Sequence, residues 1–357
     1  MQVESPKVMH FVHWTRSGIT SVVKNLCRRE AHSLMLLNDD VDFQSEYEEI
    51  EYATALQANS RRLVWIWSFF KALHFVRPDI LHCHSFMPFV IGSIFALRTK
   101  IIFHVHSEYP YLSDDNRRSR LKRFLIKVMI RFRNVALVAV SERSAMLIRQ
   151  VTGKYCHVLP NGLPDEGSQR EPFSRKASTG RFYSVCRLSE EKNLNLALKM
   201  LKTVAQRAPH QNLTYDIYGA GPLKTDLEDT IDRLGLRHIV SMKGWCGKPD
   251  LLASEYDFYL STSTFEGFGL SILSGLRGMN VAIITNVGEL SKHLCDGKSC
   301  FLIDNDEQKA SETILKVLSL PEDSLEFVQK NGRDIYISEF GYDAYVSQLK
   351  RIYIGHG

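Results

Sequence analysis

Residues Tyr259–Gly288 read YLSTSTFEGFGLSILSGLRGMNVAIITNVG. A β-rich run ends in a Ser/Thr turn, Glu266-Gly267-Phe268-Gly269 forms a corner, an apolar segment at helical spacing follows, and a second β-rich run, VAIIT, closes the unit. The pattern predicts strand, tight turn, helix and strand. In such a unit the first amides of the helix point out from the sheet edge, where they can hold an anion or a ring of hydroxyls. Gly267 and Gly269 let the backbone come close to that ligand. Taken alone, the corner is equally a well-capped turn with no ligand.

Working outward, β-rich runs alternate with helix-period segments along the chain. The first set is 7–14, 32–38, 79–84, 100–106, 135–141 and 156–162. A polar stretch with Pro and Gly, LPDEGSQREPFSRKASTG (163–180), reads as a linker. The alternation then restarts with 181–188, 213–219, 239–245, 258–263, 281–288 and 301–304, and the tail from about Pro321 reads as helices. Near-continuous apolar strands between helices mean parallel sheets covered on both faces. The expectation is an α/β protein of two Rossmann-like domains, for which 357 residues suffice. Open sheets of this kind bind ligands at the carboxyl ends of their strands, so the site is expected there.

Composition narrows the classes. The seven cysteines are scattered with no CxxC pair, which argues against a disulfide framework or zinc knuckle and for a reducing compartment. The N-terminal run has no signal-peptide pattern, and no window reaches about 18 uninterrupted apolar residues. A net charge of +5 matters only where it is gathered. It is gathered in RRSRLKRFLIKVMIRFR (117–133), which has eight Arg or Lys with Leu121, Phe124, Leu125, Val128 and Phe132 at helical spacing. This is either an ordinary helix with a charged outer face or a landing face for anionic lipid. No nucleic-acid-binding motif accompanies it.

Several residues could carry chemistry. Arg187 ends one strand, with Lys192 and Asn193 at the next helix; two such cations can grip a diphosphate. Gly219 and Gly221 lie in a strand-to-helix turn, YGAGPL, and Ser17 and Gly18 in another, where amides could meet phosphate. His10, His13, His82, His84, His104 and His106 fall in or beside three strands; residues two apart share a strand face, yet no carboxylate stands at a matching spacing and no metal is expected.

RLSEEKN, YGAGP and EGFG in this order resemble the motifs of retaining glycosyltransferases of the GT-B fold, above all the large family numbered four, over nearly the whole chain. The resemblance implies two Rossmann-like domains with parallel sheets facing across a cleft: an acceptor domain (1–162), the linker (163–180), a nucleotide-sugar donor domain (181–340) and a final helix (341–357) crossing back to the first domain. It implies sugar transfer, with retention, from a nucleotide sugar to a glycan or lipid-linked acceptor in surface polysaccharide or glycolipid synthesis. Arg187, Lys192, Glu266 and His106 (in the V-H-x match) are then catalytic. Gly18, Asn193, Gly219, Gly221, Trp245, Gly267, Phe268, Gly269, Leu270 and Ser274 bind donor, and Glu108 and Tyr109 contact acceptor. No metal or other cofactor is implied, the location is cytoplasmic and peripheral at the membrane through 117–133, and nucleic acid is not a partner. The chain departs from the pattern where a second Glu, which holds the donor ribose, is Ser274; Met279 and Val281 replace a glycine and a proline, and Lys292 replaces a Glu. Two other readings stay open on these residues, a nucleotide-sugar isomerase of the same fold and a non-catalytic binding subunit.

Overall fold

The computed structural model describes residues 6–13, 18–37, 50–56, 64–165, 179–246 and 252–355. Seven strands form the first sheet: β1 (Val8–Val12), β2 (Ser33–Leu36), β3 (Ala53–Ala55), β4 (Ile80–His84), β5 (Lys100–Val105), β6 (Val135–Ala139) and β7 (Cys156–Val158). All pair in parallel, in the order β3-β2-β1-β4-β5-β6-β7. Six strands form the second: β8 (Thr179–Val185), β9 (Asn212–Tyr218), β10 (Val240–Gly244), β11 (Phe258–Ser261), β12 (Val281–Thr285) and β13 (Phe301–Ile303), again parallel, in the order β10-β9-β8-β11-β12-β13. Each β-rich run read from the sequence overlaps one of these strands, although β8 begins two residues and β9 one residue earlier than read. The reading misses β3, a three-residue Ala-Thr-Ala edge strand, half-buried throughout and too short to show a period.

The near-continuous apolar runs have a simple cause. β1, β4 and β12 are buried at every position, because helices cover both faces of each sheet. In both sheets the strand order reverses beside the first strand, between β1 and β4 and between β8 and β11. Loops leaving two adjacent strands diverge at such a point, which opens a crevice at the carboxyl edge.

The chain divides into two compact units, Met1–Pro164 with Tyr342–Gly357, and Asp165–Gly341. Most of the stretch read as a linker, 166–178, lies outside the described residues. In the first unit the closing helix Tyr342–Ile354 is held by Lys100, whose Nζ donates to the Tyr353 carbonyl at 3.0 Å, and by a 2.6 Å ion pair between Lys350 and Glu30. The second unit packs Phe182, Tyr215, Phe258 and Ile283 of its sheet against Leu198, Leu201 and Ile314 of flanking helices. The chain enters β12 through Met279, whose φ is 56°, and Asn280, whose amide donates to the carbonyls of Ala253 (2.9 Å) and Tyr256 (2.7 Å) and accepts from the Tyr183 hydroxyl (2.9 Å). Those three bonds satisfy a buried turn that has a side chain in a backbone region glycine prefers.

The basic segment forms the helix Arg117–Phe132, capped by Asn116, whose side chain accepts from the Ser119 amide. It buries Ser119, Ile126 and Ile130, whereas Leu121, Phe124 and Phe132 are 59%, 61% and 79% exposed. The apolar stripe seen in the sequence therefore splits, with three of its large members on the outer face among the cations. Among the described residues no helix is long and apolar enough to cross a membrane.

Candidate active site

The reversal point of the second sheet brings together the two best motifs. After β8 the chain makes one helical turn, Glu190–Lys192, and passes through Asn193 in the left-handed region (φ 46°) into the helix Leu194–Arg207. After β11, the adjacent strand, it makes the Ser/Thr turn and the Glu-Gly-Phe-Gly corner. Lys192 Nζ then meets Glu266 Oε1 at 2.6 Å, although 74 residues separate them. Ser263 Oγ donates to the same carboxylate oxygen at 2.8 Å. Thr262 Oγ1 lies 3.0 Å from the carbonyls of both Lys192 and Asn193, and the Thr264 amide donates to the Glu191 carbonyl at 2.8 Å. Thr285, at the end of β12, donates to the Ser263 carbonyl at 2.5 Å. Three consecutive strand ends are thus laced together around one ion pair.

The pair is mostly withdrawn from water, with Lys192 and Glu266 side chains 16% and 11% exposed. Behind it a cavity of about 10 Å³, lined by Ser184, Cys186, Tyr259 and Ser263, has room for about one water. The glycines hold this geometry. Gly288 (φ 84°) abuts Glu266, and a Cβ there would lie 2.8 Å from the Glu266 Cβ. Gly269, at φ 104°, caps the eight-residue helix Leu270–Arg277, so the corner turns directly into the amides that open it. Phe268 is a packing residue: it is 3% exposed, stands edge-on to Phe340, and its carbonyl accepts from the Leu290 amide.

The other expected residues of this unit take varied places. Arg187 is exposed at the end of β8 and is not part of the pair's hydrogen bonds. Gly219 and Gly221 bracket it from the next loop: a Cβ on Gly219 would lie 1.8 Å from the Cys186 carbonyl oxygen, and one on Gly221 2.3 Å from that of Leu188. Their missing side chains let two backbones touch. Trp245 is 55% exposed after β10, and the residues just beyond, 247–251, lie outside the description. Ser274, half-buried on the corner helix, accepts a 3.4 Å bond from Arg277. Lys292 pairs with Glu289 at 2.8 Å.

The remaining expected residues belong to the first unit. Gly18 opens the helix Gly18–Arg29, and Ser17 lies outside the described residues. Tyr109 lines a cavity of about 550 Å³ at that sheet's reversal point, with Val12, His84, Ser85 and Lys122, and burial pushes its phenol up to about 12. Glu108 forms a 2.5 Å ion pair with Arg143. His106, just past β5, is 8% exposed and bonds through Nε2 to His84 Nδ1 at 2.8 Å; burial lowers its pKa to about 3. Sequence reasoning missed Ser263, Thr262 and Gly288. The Ser/Thr run was visible as a turn, but its bonds to Glu266 and Lys192 depend on which strands are neighbours.

Comparison with known proteins agrees with this architecture. A family model described as glycosyl transferases group 1 matches residues 166–334, and one described as glycosyltransferase family 4 matches residues 17–166. Between them the two models span most of the chain, which resembles glycosyltransferase family 4 and has the fold of GT-B glycosyltransferase structures. The fold of this GT-B chain matches that of Anabaena HepE, solved with UDP and glucose, at a TM-score of 0.79 with 17% identity over 97% of this chain and 99% of that one. It also matches Staphylococcus aureus TarM, solved as a variant with fondaparinux, alpha-GlcNAc-glycerol and UDP, at 0.75 with 11% identity over 98% and 99%. Among curated relatives, an Escherichia coli UDP-Gal:alpha-D-GlcNAc-diphosphoundecaprenol alpha-1,3-galactosyltransferase is 23% identical over 80% of this chain and 78% of its own length. The GtfA subunit of a Streptococcus pneumoniae UDP-N-acetylglucosamine–peptide N-acetylglucosaminyltransferase is 29% identical over 32% of this chain. That match spans 21% of the GtfA chain, and matches to two other relatives span 29% and 24% of theirs.

The contact at the centre of the site is testable through stability. Lys192→Met and Glu266→Gln should each lower unfolding stability by about 2 kcal/mol, and a double-mutant cycle should give a coupling of about 1.5–3 kcal/mol, as expected for a charge-assisted bond largely out of water. Chemical denaturation of the four proteins measures it, and strictly additive losses contradict the contact.

Proposed function

We propose that this chain transfers a sugar, with retention, from a UDP-sugar to the hydroxyl of a glycan or lipid-linked acceptor in cell-surface glycan synthesis. The observation that carries the reading is the Lys192–Glu266 pair at the reversal point of a parallel sheet. An ammonium and a carboxylate held together at a ligand-binding edge offer one group for each half of a nucleotide sugar. The donor's diphosphate takes Lys192 and draws on Arg187, whose exposed guanidinium can fork over two phosphate oxygens. Glu266, released from the lysine, accepts from sugar hydroxyls beside the amides of Gly269 and Leu270. As the bond from the anomeric carbon to the diphosphate breaks, the acceptor oxygen forms the new one and its proton passes to the departing phosphate oxygen; charge builds on that leaving diphosphate, where the cations and helix amides act. These groups supply the positive field, so the reading assigns the transfer step no metal.

On this reading Asn193, Gly219, Gly221, Trp245, Gly267, Phe268 and Ser274 shape the donor side, Ser274 towards the ribose. In the first unit Gly18, Glu108 and Tyr109 belong to the proposed substrate contacts, with the 550 Å³ cavity as the acceptor pocket. The names of the relatives support the substrate class: the galactosyltransferase acts on a diphosphoundecaprenol acceptor, and a Bacillus subtilis relative 27% identical over 44% of this chain is a poly(glycerol-phosphate) alpha-glucosyltransferase. The site's chemistry also favours transfer over simple binding, since a binding surface gains little from an ion pair poised to open.

We further propose that the helix Arg117–Phe132 docks on anionic membrane. Leu121, Phe124 and Phe132 stand exposed among Arg117, Arg118, Arg120, Lys127 and Arg131. Shallow burial of those side chains adds to roughly 1 kcal/mol per cation near the lipid surface.

Two measurements follow. With a panel of UDP-sugars and lipid-diphosphate or polyol-phosphate acceptors, Lys192→Ala and Glu266→Gln should lower transfer by about 100-fold or more, roughly the scale of one lost transition-state contact. Both should retain a cooperative unfolding transition, and full turnover by either contradicts the assignment. In vesicle co-sedimentation the chain should bind anionic but not neutral vesicles at low salt and release at high salt, and a Leu121→Ser, Phe124→Ser double variant should bind weakly. Equal binding to both vesicle types, or to neither, makes this helix an ordinary surface element.

A further inference from the structure

Six histidines crowd one face of the first unit's sheet. His10, His82, His84 and His104 are 0–1% exposed, and His32 and His106 are 8%. Register sets His10 beside His82 and His84 beside His104, while the intervening residues Phe11, Cys83 and Phe103 face the apolar core on the other side.

A neutral imidazole carries one N–H and one lone pair, so a chain of such rings must run head to tail. One run joins His84 Nε2 to His10 Nδ1 (2.9 Å) and His10 Nε2 to His32 Nδ1 (3.0 Å). A second joins His104 Nδ1 to His82 Nε2 (3.1 Å) and His82 Nδ1 to the Tyr353 hydroxyl (2.9 Å). With both runs donating outward, the nitrogens at their inner ends, His84 Nδ1 and His104 Nε2, are left as lone pairs. His84 Nδ1 lies 2.8 Å from His106 Nε2, and His104 Nε2 is a buried nitrogen without a partner in the structure. One nitrogen from each of His84, His104 and His106 falls within 4.8 Å of the other two. Without a bridging species the His84–His106 contact takes one N–H, and His104 Nε2 and His106 Nδ1 both stay buried with an unmade hydrogen bond.

We propose that His84, His104 and His106 bind one late first-row transition-metal ion, of the zinc or copper class, through His84 Nδ1, His104 Nε2 and His106 Nε2. Neutral imidazole nitrogens suit such ions, whereas Mg2+ and Ca2+ seek oxygen. His10 and His82 then act as outer partners, each accepting the remaining N–H of a ligand and fixing its tautomer and ring orientation. The neighbouring trio His10, His82 and His84 also converges, but His10 and His82 use both of their nitrogens in ring-to-ring or tyrosine bonds, so it has less to gain. The site lies wholly within the first unit and does not rest on the proposed transfer reaction.

The test uses the untagged full chain purified without chelator. Elemental analysis by mass spectrometry should find about one equivalent of zinc or copper per chain, an expectation that follows from a single three-nitrogen site. After stripping, Co2+ should give visible bands that saturate near one equivalent, Cu+ under reductant should compete with it, and Zn2+ should raise the unfolding temperature. His104→Gln should weaken Co2+ binding by at least the roughly tenfold that loss of even an outer partner costs, whereas His32→Gln, at the far end of its run, should keep the stoichiometry. His106→Gln serves as the second ligand variant if His104→Gln lacks a cooperative unfolding transition. A wild-type chain that holds no metal and shows no saturable binding of any of the three ions overturns the proposal. Metal binding that survives loss of His104 and of His106 overturns it equally.

Discussion

Parallel strands cannot be joined by hairpins, so each must be followed by a crossover that returns the chain to the same starting edge, and all strands finish on the other. In this chain both sheets obey that constraint along their whole width. Every loop able to carry chemistry therefore leaves one edge of its sheet, and only at a reversal of strand order do neighbouring loops separate enough to admit a ligand. In the second unit β8 and β11 flank that reversal, and they supply Lys192 and Glu266. In the first unit β1 and β4 flank it, and the 550 Å³ cavity sits there with Val12 and His84 in its wall.

On the proposed reading the ion pair both stabilises the site and holds the lysine where a phosphate would meet it. Ser263, Thr262 and Thr285 tie its loops to adjacent strand ends, so the geometry outlasts the opening of the pair itself. An arriving phosphate would replace Glu266 as the lysine's partner, with little reorganisation of backbone. Preorganisation of this kind lets charge-assisted bonds act on a reacting group without first ordering the groups that make them. Gly288, Gly219 and Gly221 serve the same end, since each stands where a side chain would push one laced loop off another.

How much of this could be read from the residues depended on the range of the interaction. Strands were legible because burial on both faces makes them apolar along their length, as in β1, β4 and β12; β3, short and at an edge, carried no such mark. The corner at Glu266–Gly269 was legible because glycine spacing and a change of period are local. The partnership of Lys192 with Glu266 was not, since it follows from strand order rather than from any spacing across 74 residues. The helix 117–132 showed its stripe but not which face was packed, and the structure turns Leu121 and Phe124 outward and Ile126 and Ile130 inward. The histidine pairs two apart were visible, yet their convergence needed the register of β1, β4 and β5.

The central claim is that Lys192 is a phosphate-binding cation held in reserve by Glu266. Calorimetric titration of UDP and of uridine into the wild type, Lys192→Ala and Glu266→Gln tests it most directly. The account predicts that Lys192→Ala weakens UDP by about tenfold or more, a loss near 1.4 kcal/mol, with uridine unchanged, and that Glu266→Gln, by freeing the ammonium, tightens UDP. Equal losses for UDP and uridine in Lys192→Ala, or UDP binding weakened as much by Glu266→Gln as by Lys192→Ala, would contradict it.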